Sequence, residues 1–113
     1  MREITERAFA EEVLDCELPV YACFTASWCT TCYPVCQSAS ELVEEYRGRI
    51  KFVRLDMETS PGLVEKYSVT AVPTVIVFYR GRPVHRIISY AEKPDIRDML
   101  DAVASGGYDP VRE

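Results

Sequence analysis

The sequence lacks any apolar segment long enough to cross a membrane. Its longest apolar runs are five or six residues, whereas a transmembrane helix needs about 20. The N-terminal stretch from Met1 to Arg7 contains two glutamates where a secretory signal peptide would need an apolar segment. As written, the sequence therefore predicts a cytoplasmic protein that does not bind membranes.

Basic residues are also few. The chain has 13 Lys and Arg against 18 Asp and Glu, which gives a net charge of −5. Without a basic patch to displace counterions from phosphates, we expect no nucleic-acid partner. No internal repeat or low-complexity segment is visible, and 113 residues suffice for one hydrophobic core but not for two. We therefore expect a monomeric globular domain over residues 1–106, followed by a tail over residues 107–113.

Cysteine is abundant by contrast, and its distribution is uneven. All five cysteines fall in the first third of the chain, namely Cys16, Cys23, Cys29, Cys32 and Cys36. A secreted domain held together by disulfides usually carries an even number of cysteines spread along its length. In a reducing compartment most of these thiols should be free, and any disulfide should be transient. The distribution therefore favours a chemical role over a scaffold.

Two of the cysteines, Cys29 and Cys32, stand three positions apart directly after an apolar run over residues 20–24 that is typical of a buried strand. If a helix begins at Cys29, its unpaired backbone N–H groups and the positive end of its dipole favour the thiolate of the first sulfur. The second sulfur then lies one turn away, close enough to form a disulfide. The pattern predicts a dithiol–disulfide switch.

Hydrophobic periodicity, caps and turns predict the remaining elements. Helices are expected over residues 5–15, 29–46, 61–67 and 94–105, and strands over residues 19–25, 50–55, 74–79 and 84–89, with a short edge strand near residues 2–4. Thr5 and Ser60 are the expected N-caps of the first and third helices. Strands joined by helices are parallel, whereas the last two form an antiparallel hairpin. The order predicts an α/β fold with a mixed sheet of four to five strands and helices on both faces.

Three motifs carry a resemblance to a known family. They are Phe24-Thr25-Ala26-Ser27-Trp28-Cys29-x-x-Cys32, Val72-Pro73-Thr74 and Phe78-x-x-Gly81. Through them the chain resembles the thioredoxin family over about residues 4–104. The resemblance implies the thioredoxin fold and a thiol–disulfide oxidoreductase that acts on protein disulfides. It also implies a partner reductase and no cofactor or metal.

The resemblance also assigns roles to individual residues. It implies that Cys29 is the nucleophile, that Cys32 is the resolving thiol, and that Pro73 is a cis-proline beside them. Val72, which precedes this proline, would offer its backbone N–H and C=O to an extended substrate. A Trp at position 28 is compatible with a core residue, but next to the nucleophile we expect it to shield the sulfurs and contact partners.

The sequence departs from the family pattern at several positions. Cys23 stands where the family usually has a buried Asp, and Arg54 stands where the family has Lys; Thr30-Thr31 replaces Gly-Pro, and Ser89 replaces a Gly at the docking surface. A Cys in place of the Asp removes the carboxylate that would accept a proton from the resolving thiol. These departures motivate an alternative function, a redox-responsive protein-binding module with little turnover.

The other cysteines leave further alternatives open. Cys36 shares one helical stripe with Cys29 and Cys32, which would suit a third redox thiol or a metal site. A tetrahedral zinc site needs four ligands, and nothing in the sequence places a fourth. A small buried residue is therefore the favoured interpretation of Cys36, and also of Cys23. Cys16 is expected near the surface without a role.

Overall fold

Five strands form one mixed sheet in the computed structural model of the chain, which describes residues 1–106. In chain order they are β1 (Arg2–Glu3), β2 (Val20–Thr25), β3 (Lys51–Asp56), β4 (Thr74–Tyr79) and β5 (Arg82–Ile88). Across the sheet the order is β1-β3-β2-β4-β5. β3 runs parallel to β1 and β2, whereas β4 is antiparallel to β2 and β5. The predicted mixed sheet is confirmed, and the predicted tail lies outside the described residues.

Three α-helices and several shorter turns of helix cover this sheet. The α-helices are α1 (Cys32–Leu42), α2 (Pro61–Lys66) and α3 (Lys93–Ala104). Short 3₁₀ segments span Glu6–Ala8, Val43–Tyr46 and Met57–Thr59, and a π-helical turn spans Ala10–Leu14. In the part of the chain that the structure describes, no helix combines the length and the apolar character that a membrane span requires.

The sheet is buried on both faces because alternate residues of its central strands point into two different cores. One core joins the α1 and α3 stripes to Tyr21 and Cys23 of β2. The other joins the N-terminal helical segment and α2 to Val20, Ala22 and Phe24 of the same strand. All five of these β2 residues have no measurable exposure. Helices therefore lie on both faces of the sheet, as predicted.

The predicted first helix is wrong in type, although its start is right. The Thr5 hydroxyl accepts a hydrogen bond from the Ala8 N–H at 3.2 Å, as an N-cap should. The chain then forms a 3₁₀ turn and a π turn in place of a regular α-helix. This change in winding still buries Phe9 and Val13, which are the residues that anchor the segment to the sheet.

Two further predictions about helix starts need correction. The long helix begins at Cys32, three residues later than predicted, because Thr30 and Thr31 form a turn and the Cys29 N–H bonds back to the Ala26 C=O. Ser60 occupies the N-cap position of α2, but its side chain makes no capping bond, and its hydroxyl is buried without a partner among the described residues.

Candidate active site

Cys29 and Cys32 form a disulfide at the point where the chain leaves β2 and enters α1, with a Cα–Cα distance of 5.4 Å. The two cysteines differ in accessibility, since Cys29 is partly exposed whereas Cys32 is only 4% exposed. A substrate can therefore approach the sulfur of Cys29, while the sulfur of Cys32 is shielded behind it. This asymmetry is what separate attacking and resolving thiols require.

The start of α1 provides the electrostatic environment of the exposed sulfur. The backbone N–H of Cys32 donates a hydrogen bond to Cys29 Sγ at 3.1 Å, and the Thr31 hydroxyl lies 3.6 Å from the same sulfur. No acidic residue occupies the first turn of α1. These donors, together with the positive end of the helix dipole, would stabilise a Cys29 thiolate after reduction. The helix starts later than predicted, but it still favours the thiolate of Cys29, as the sequence predicts.

An open cavity of about 320 Å³ lies beside the disulfide. Its lining includes Cys29, Cys32 and Cys36, so three of the five cysteines face one solvent-accessible space. Arg54 also lines the cavity, and its guanidinium forms an ion pair with Glu3 at 3.0 Å. The cavity gives water access to the inner side of the active-site pair.

The predicted substrate-binding residues lie at the end of the sheet where β2 leads to the Cys29–Cys32 pair. Trp28 is 64% exposed, which excludes its interpretation as a core residue, and its indole N–H donates to Glu58 at 3.1 Å. The Val72–Pro73 peptide bond is cis. Because Phe24 of β2 pairs with the first residue of β4, Val72 and Pro73 reach the same end of the sheet as Cys29. None of these three predicted residues lines the cavity.

Two hydrogen bonds hold the backbone around Pro73, and one of them runs from the Thr74 hydroxyl to the Ala71 C=O at 2.6 Å. The Ser89 N–H donates to the Pro73 C=O at 2.8 Å. Ser89 itself has a φ of 72°, in the left-handed region that favours glycine, which gives a physical reason for a Gly at this position in the family. The N–H and C=O of Val72 have no hydrogen-bond partner within residues 1–106. They are available to an incoming strand.

A contact that the sequence did not reveal lies beneath this site. Cys23 Sγ and Cys36 Sγ are 3.9 Å apart, one on β2 and the other on α1. Cys23 is fully buried, whereas Cys36 is partly exposed. Each was predicted to be a separate core residue, because sequence periodicity assigns a residue to a face but does not give the register between a helix and the strand beneath it.

The contact polarises the two thiols in opposite directions. A hydrogen bond from Cys23 lowers the pKa of Cys36 to about 7, and the positive charges of Arg54 and the N-terminus act in the same direction against the effect of burial. The same hydrogen bond and its own burial raise the pKa of Cys23. The contact therefore favours ionisation of Cys36 before ionisation of Cys23.

We expect the alkylation of Cys36 to report this polarisation. In a reduced protein with Ser in place of Cys16, Cys29 and Cys32, Cys36 is the one partly exposed thiol among residues 1–106, because Cys23 is buried. Its rate of reaction with iodoacetamide should rise with pH through a midpoint near 7, because the thiolate is the reactive form. A Cys23→Ala variant should move the midpoint upward, since it removes the hydrogen bond. A midpoint at the ordinary value of about 8.5 in both proteins would contradict the assignment.

A metal centre on these cysteines receives no support from their arrangement. Within the described residues, no group of three or more His, Cys, Asp or Glu side chains could hold a metal ion. Cys29 and Cys32 are joined to each other, and Cys36 contacts Cys23. The pairwise arrangement of these four cysteines fits dithiol chemistry.

Comparisons with known proteins agree with this chemistry. The family model described as Thioredoxin matches residues 1–102. A thioredoxin of Synechocystis sp. is 30% identical over 99 residues, which cover 88% of this chain and 92% of the relative. A thioredoxin of Pyropia yezoensis is 30% identical over 103 residues, or 91% of this chain and 96% of the relative. The bifunctional thioredoxin reductase/thioredoxin of Mycobacterium leprae is 34% identical over 102 residues, or 89% of this chain and 22% of that protein.

Proposed function

The chain belongs to the thioredoxin family and is a thiol–disulfide oxidoreductase, and we propose that Cys29 and Cys32 are the residues that carry its reaction. One observation supports this assignment above all others. The partly exposed sulfur of Cys29 lies at the start of α1, where it accepts the backbone N–H of Cys32, and the shielded sulfur of Cys32 is bonded to it. The thiolate of Cys29 is the form that this environment favours.

The proposed reaction begins with the reduced pair. The Cys29 thiolate attacks one sulfur of a substrate disulfide, the substrate S–S bond breaks, and the departing sulfur takes up a proton. Cys32 then loses its proton and attacks Cys29 Sγ in the mixed disulfide. The second substrate thiol is released, and the Cys29–Cys32 disulfide forms. Two electrons pass from the pair to the substrate.

Protein disulfides are the proposed substrates, and Trp28, Val72 and Pro73 are the proposed residues that bind them. The unpaired backbone groups of Val72 can hydrogen-bond to an extended segment that lies along the start of β4. The exposed indole of Trp28 adds apolar surface beside the sulfurs, and its bond to Glu58 fixes its orientation. Backbone pairing of this kind accepts many sequences, as a general disulfide reductase requires.

The proposed electron donor is a partner reductase. The Mycobacterium leprae relative bears both thioredoxin reductase and thioredoxin in its name, which supports a reductase of that class as the partner here. We also propose that the protein acts as a monomer in the cytoplasm. The free thiols of Cys16, Cys23 and Cys36 beside one disulfide fit a reducing compartment.

A Cys32→Ser variant is expected to trap substrate and thereby test the two roles. Its Cys29 thiolate can still open a substrate disulfide, and when Cys36 is also replaced by Ala no thiol beside Cys29 is left to release the adduct. Intact mass measured after incubation with insulin should show whole insulin bound to Cys29 through a mixed disulfide, because the unbroken interchain disulfide keeps its two chains together, and dithiothreitol should remove it. The matched Cys29→Ser variant should form no such adduct. Equal adduct formation by the two variants, or none by either, would contradict the assignment.

A further inference from the structure

We propose that Cys23 and Cys36 form a second dithiol–disulfide pair, which exchanges electrons with the Cys29–Cys32 pair through the cavity that they share. The inference rests on the proposed function, because the active-site disulfide is the oxidant that reaches the inner cysteines. It assigns a redox role to two thiols in addition to the nucleophile and the resolving thiol. The protein would then hold two electron pairs per chain.

The distance between the inner sulfurs supports the formation of a bond. Cys23 Sγ and Cys36 Sγ lie 3.9 Å apart, within hydrogen-bonding distance of each other. A disulfide requires a separation of about 2.05 Å, so the sulfurs must approach by about 2 Å. Rotation of a Cys side chain about its Cα–Cβ bond moves the sulfur by this amount or more. The pair is therefore close enough to be oxidised.

The position of Cys36 connects the inner pair to the outer pair. Cys36 follows Cys32 by four residues in α1, so the two side chains lie on one helix face about one turn apart. Both residues line the cavity beside the active-site disulfide. Cys23 is fully buried, so a substrate disulfide cannot reach it directly. Electrons from Cys23 can therefore leave only through Cys36.

The two inner thiols also differ in the way that exchange requires. Cys36 is the more acidic thiol, because the hydrogen bond from Cys23 lowers its pKa to about 7. It is therefore available as the attacking thiolate near neutral pH, whereas Cys23, whose pKa is raised, keeps its proton until it attacks Cys36 in the second step. This division of roles repeats at the inner pair the asymmetry between Cys29 and Cys32.

The exchange balances without an external reagent. The Cys36 thiolate attacks Cys32 Sγ, the Cys29–Cys32 bond breaks, and Cys29 leaves as the thiolate that the start of α1 stabilises. Cys23 then loses its proton and attacks Cys36 Sγ, and Cys32 leaves and takes up a proton. The net result is a Cys23–Cys36 disulfide and a reduced active-site pair. Two electrons have moved outward, ready for another substrate.

A redox titration with counting of thiols tests the second pair. The Cys16→Ser protein retains four cysteines, and it is equilibrated with glutathione buffers from fully reducing to fully oxidising. Samples are quenched in acid, denatured and alkylated, and free thiols are counted by intact mass. We expect the count to fall from four to none. The matched Cys36→Ala variant should lose only the Cys29 and Cys32 thiols and keep a free Cys23.

Peptide analysis identifies the bond and separates the two proposals. Cleavage by chymotrypsin after Phe24 and Trp28 places Cys23 on a different peptide from the other three cysteines. Any bond to Cys23 therefore appears as a linked pair of peptides, and fragmentation of that pair by tandem mass spectrometry should place the link on Cys36. A plateau at two free thiols on Cys23 and Cys36, or a glutathione adduct on Cys36 beside a free Cys23, would overturn the inference. Failure of the proposed function would instead appear as a Cys29–Cys32 pair that does not reduce insulin, whatever the state of Cys23.

The number of insulin disulfides that each chain reduces gives an independent test of the second pair. Fully reduced protein, freed of reductant and mixed with excess insulin, should reduce two disulfide equivalents per chain, twice the yield of the Cys36→Ala variant. Should that variant fail to fold, the yield of the unmodified protein still distinguishes one electron pair per chain from two. A yield of one equivalent per chain overturns the inference, even where insulin reduction itself proceeds at a normal rate.

Discussion

Replacing Cys29 with Ser is expected to lower the rate of insulin reduction by at least about 10³-fold, the scale of loss when a covalent nucleophile is removed. A serine hydroxyl is essentially un-ionised near neutral pH, so the N–H groups at the start of α1 have no anion to stabilise. Cys32 is only 4% exposed and cannot take over the attack on a large substrate. The measurement is insulin turnover with NADPH and a thioredoxin reductase.

The matched control for this experiment is Cys16→Ser. Cys16 is a free thiol remote in sequence from the active-site motif, and it lines none of the cavity beside the disulfide. This variant should retain the rate of the unmodified protein. A Cys29→Ser protein with more than about one tenth of the unmodified rate would contradict the role of Cys29. Normal turnover by the unmodified protein would in turn exclude a binding module with little turnover.

Replacing Phe78 with Ala is expected to lower the free energy of unfolding by about 3–5 kcal/mol. Phe78 has no measurable exposure, and its ring packs edge-on against Phe9 at 5.3 Å and Tyr67 at 5.1 Å between centroids. Truncation leaves a cavity between β4 and the rings of these two residues. It also removes aromatic contacts worth about 0.5–1.5 kcal/mol per pair. Domains of this size are stable by about 5–15 kcal/mol, so this loss is a large fraction of the total free energy of unfolding.

Urea unfolding of the oxidised protein, followed by circular dichroism, measures this loss. The control is Tyr33→Ala, because Tyr33 is an aromatic residue that is 72% exposed. A surface substitution of this kind should change the free energy of unfolding by about 0.5 kcal/mol or less. A loss below about 1 kcal/mol for Phe78→Ala would contradict the packing of this core.

Much of the candidate site could be predicted because its signals are local. Cys29 and Cys32 are three positions apart, so any tight turn into a helix brings their sulfurs together. The strand before them was recognisable from an unbroken apolar run, and β4 was recognisable for the same reason. These features depend on neighbouring residues and on the fixed periods of helix and strand.

The start of α1 was harder to predict, because more than one residue can begin a helix after a turn. Thr30 and Thr31 have no strong preference that excludes a helix, so the sequence allowed a start at Cys29. In the folded chain the Cys29 N–H bonds to Ala26, and its sulfur accepts the Cys32 N–H in the manner of a capping group. The local hydrogen bonds therefore determined the boundary, as they usually do at helix ends.

The sequence alone determined the order of strands and helices, the apolar stripes that bury both faces of the sheet, and the adjacent cysteines of the active-site pair. Only the tertiary structure decided that Cys23 and Cys36 touch, because their 3.9 Å separation depends on how α1 lies across β2. Cys36 follows Cys23 by 13 positions in the chain. Periodicity identifies the face on which each sulfur lies, but the packing of one element against another determines which sulfurs meet.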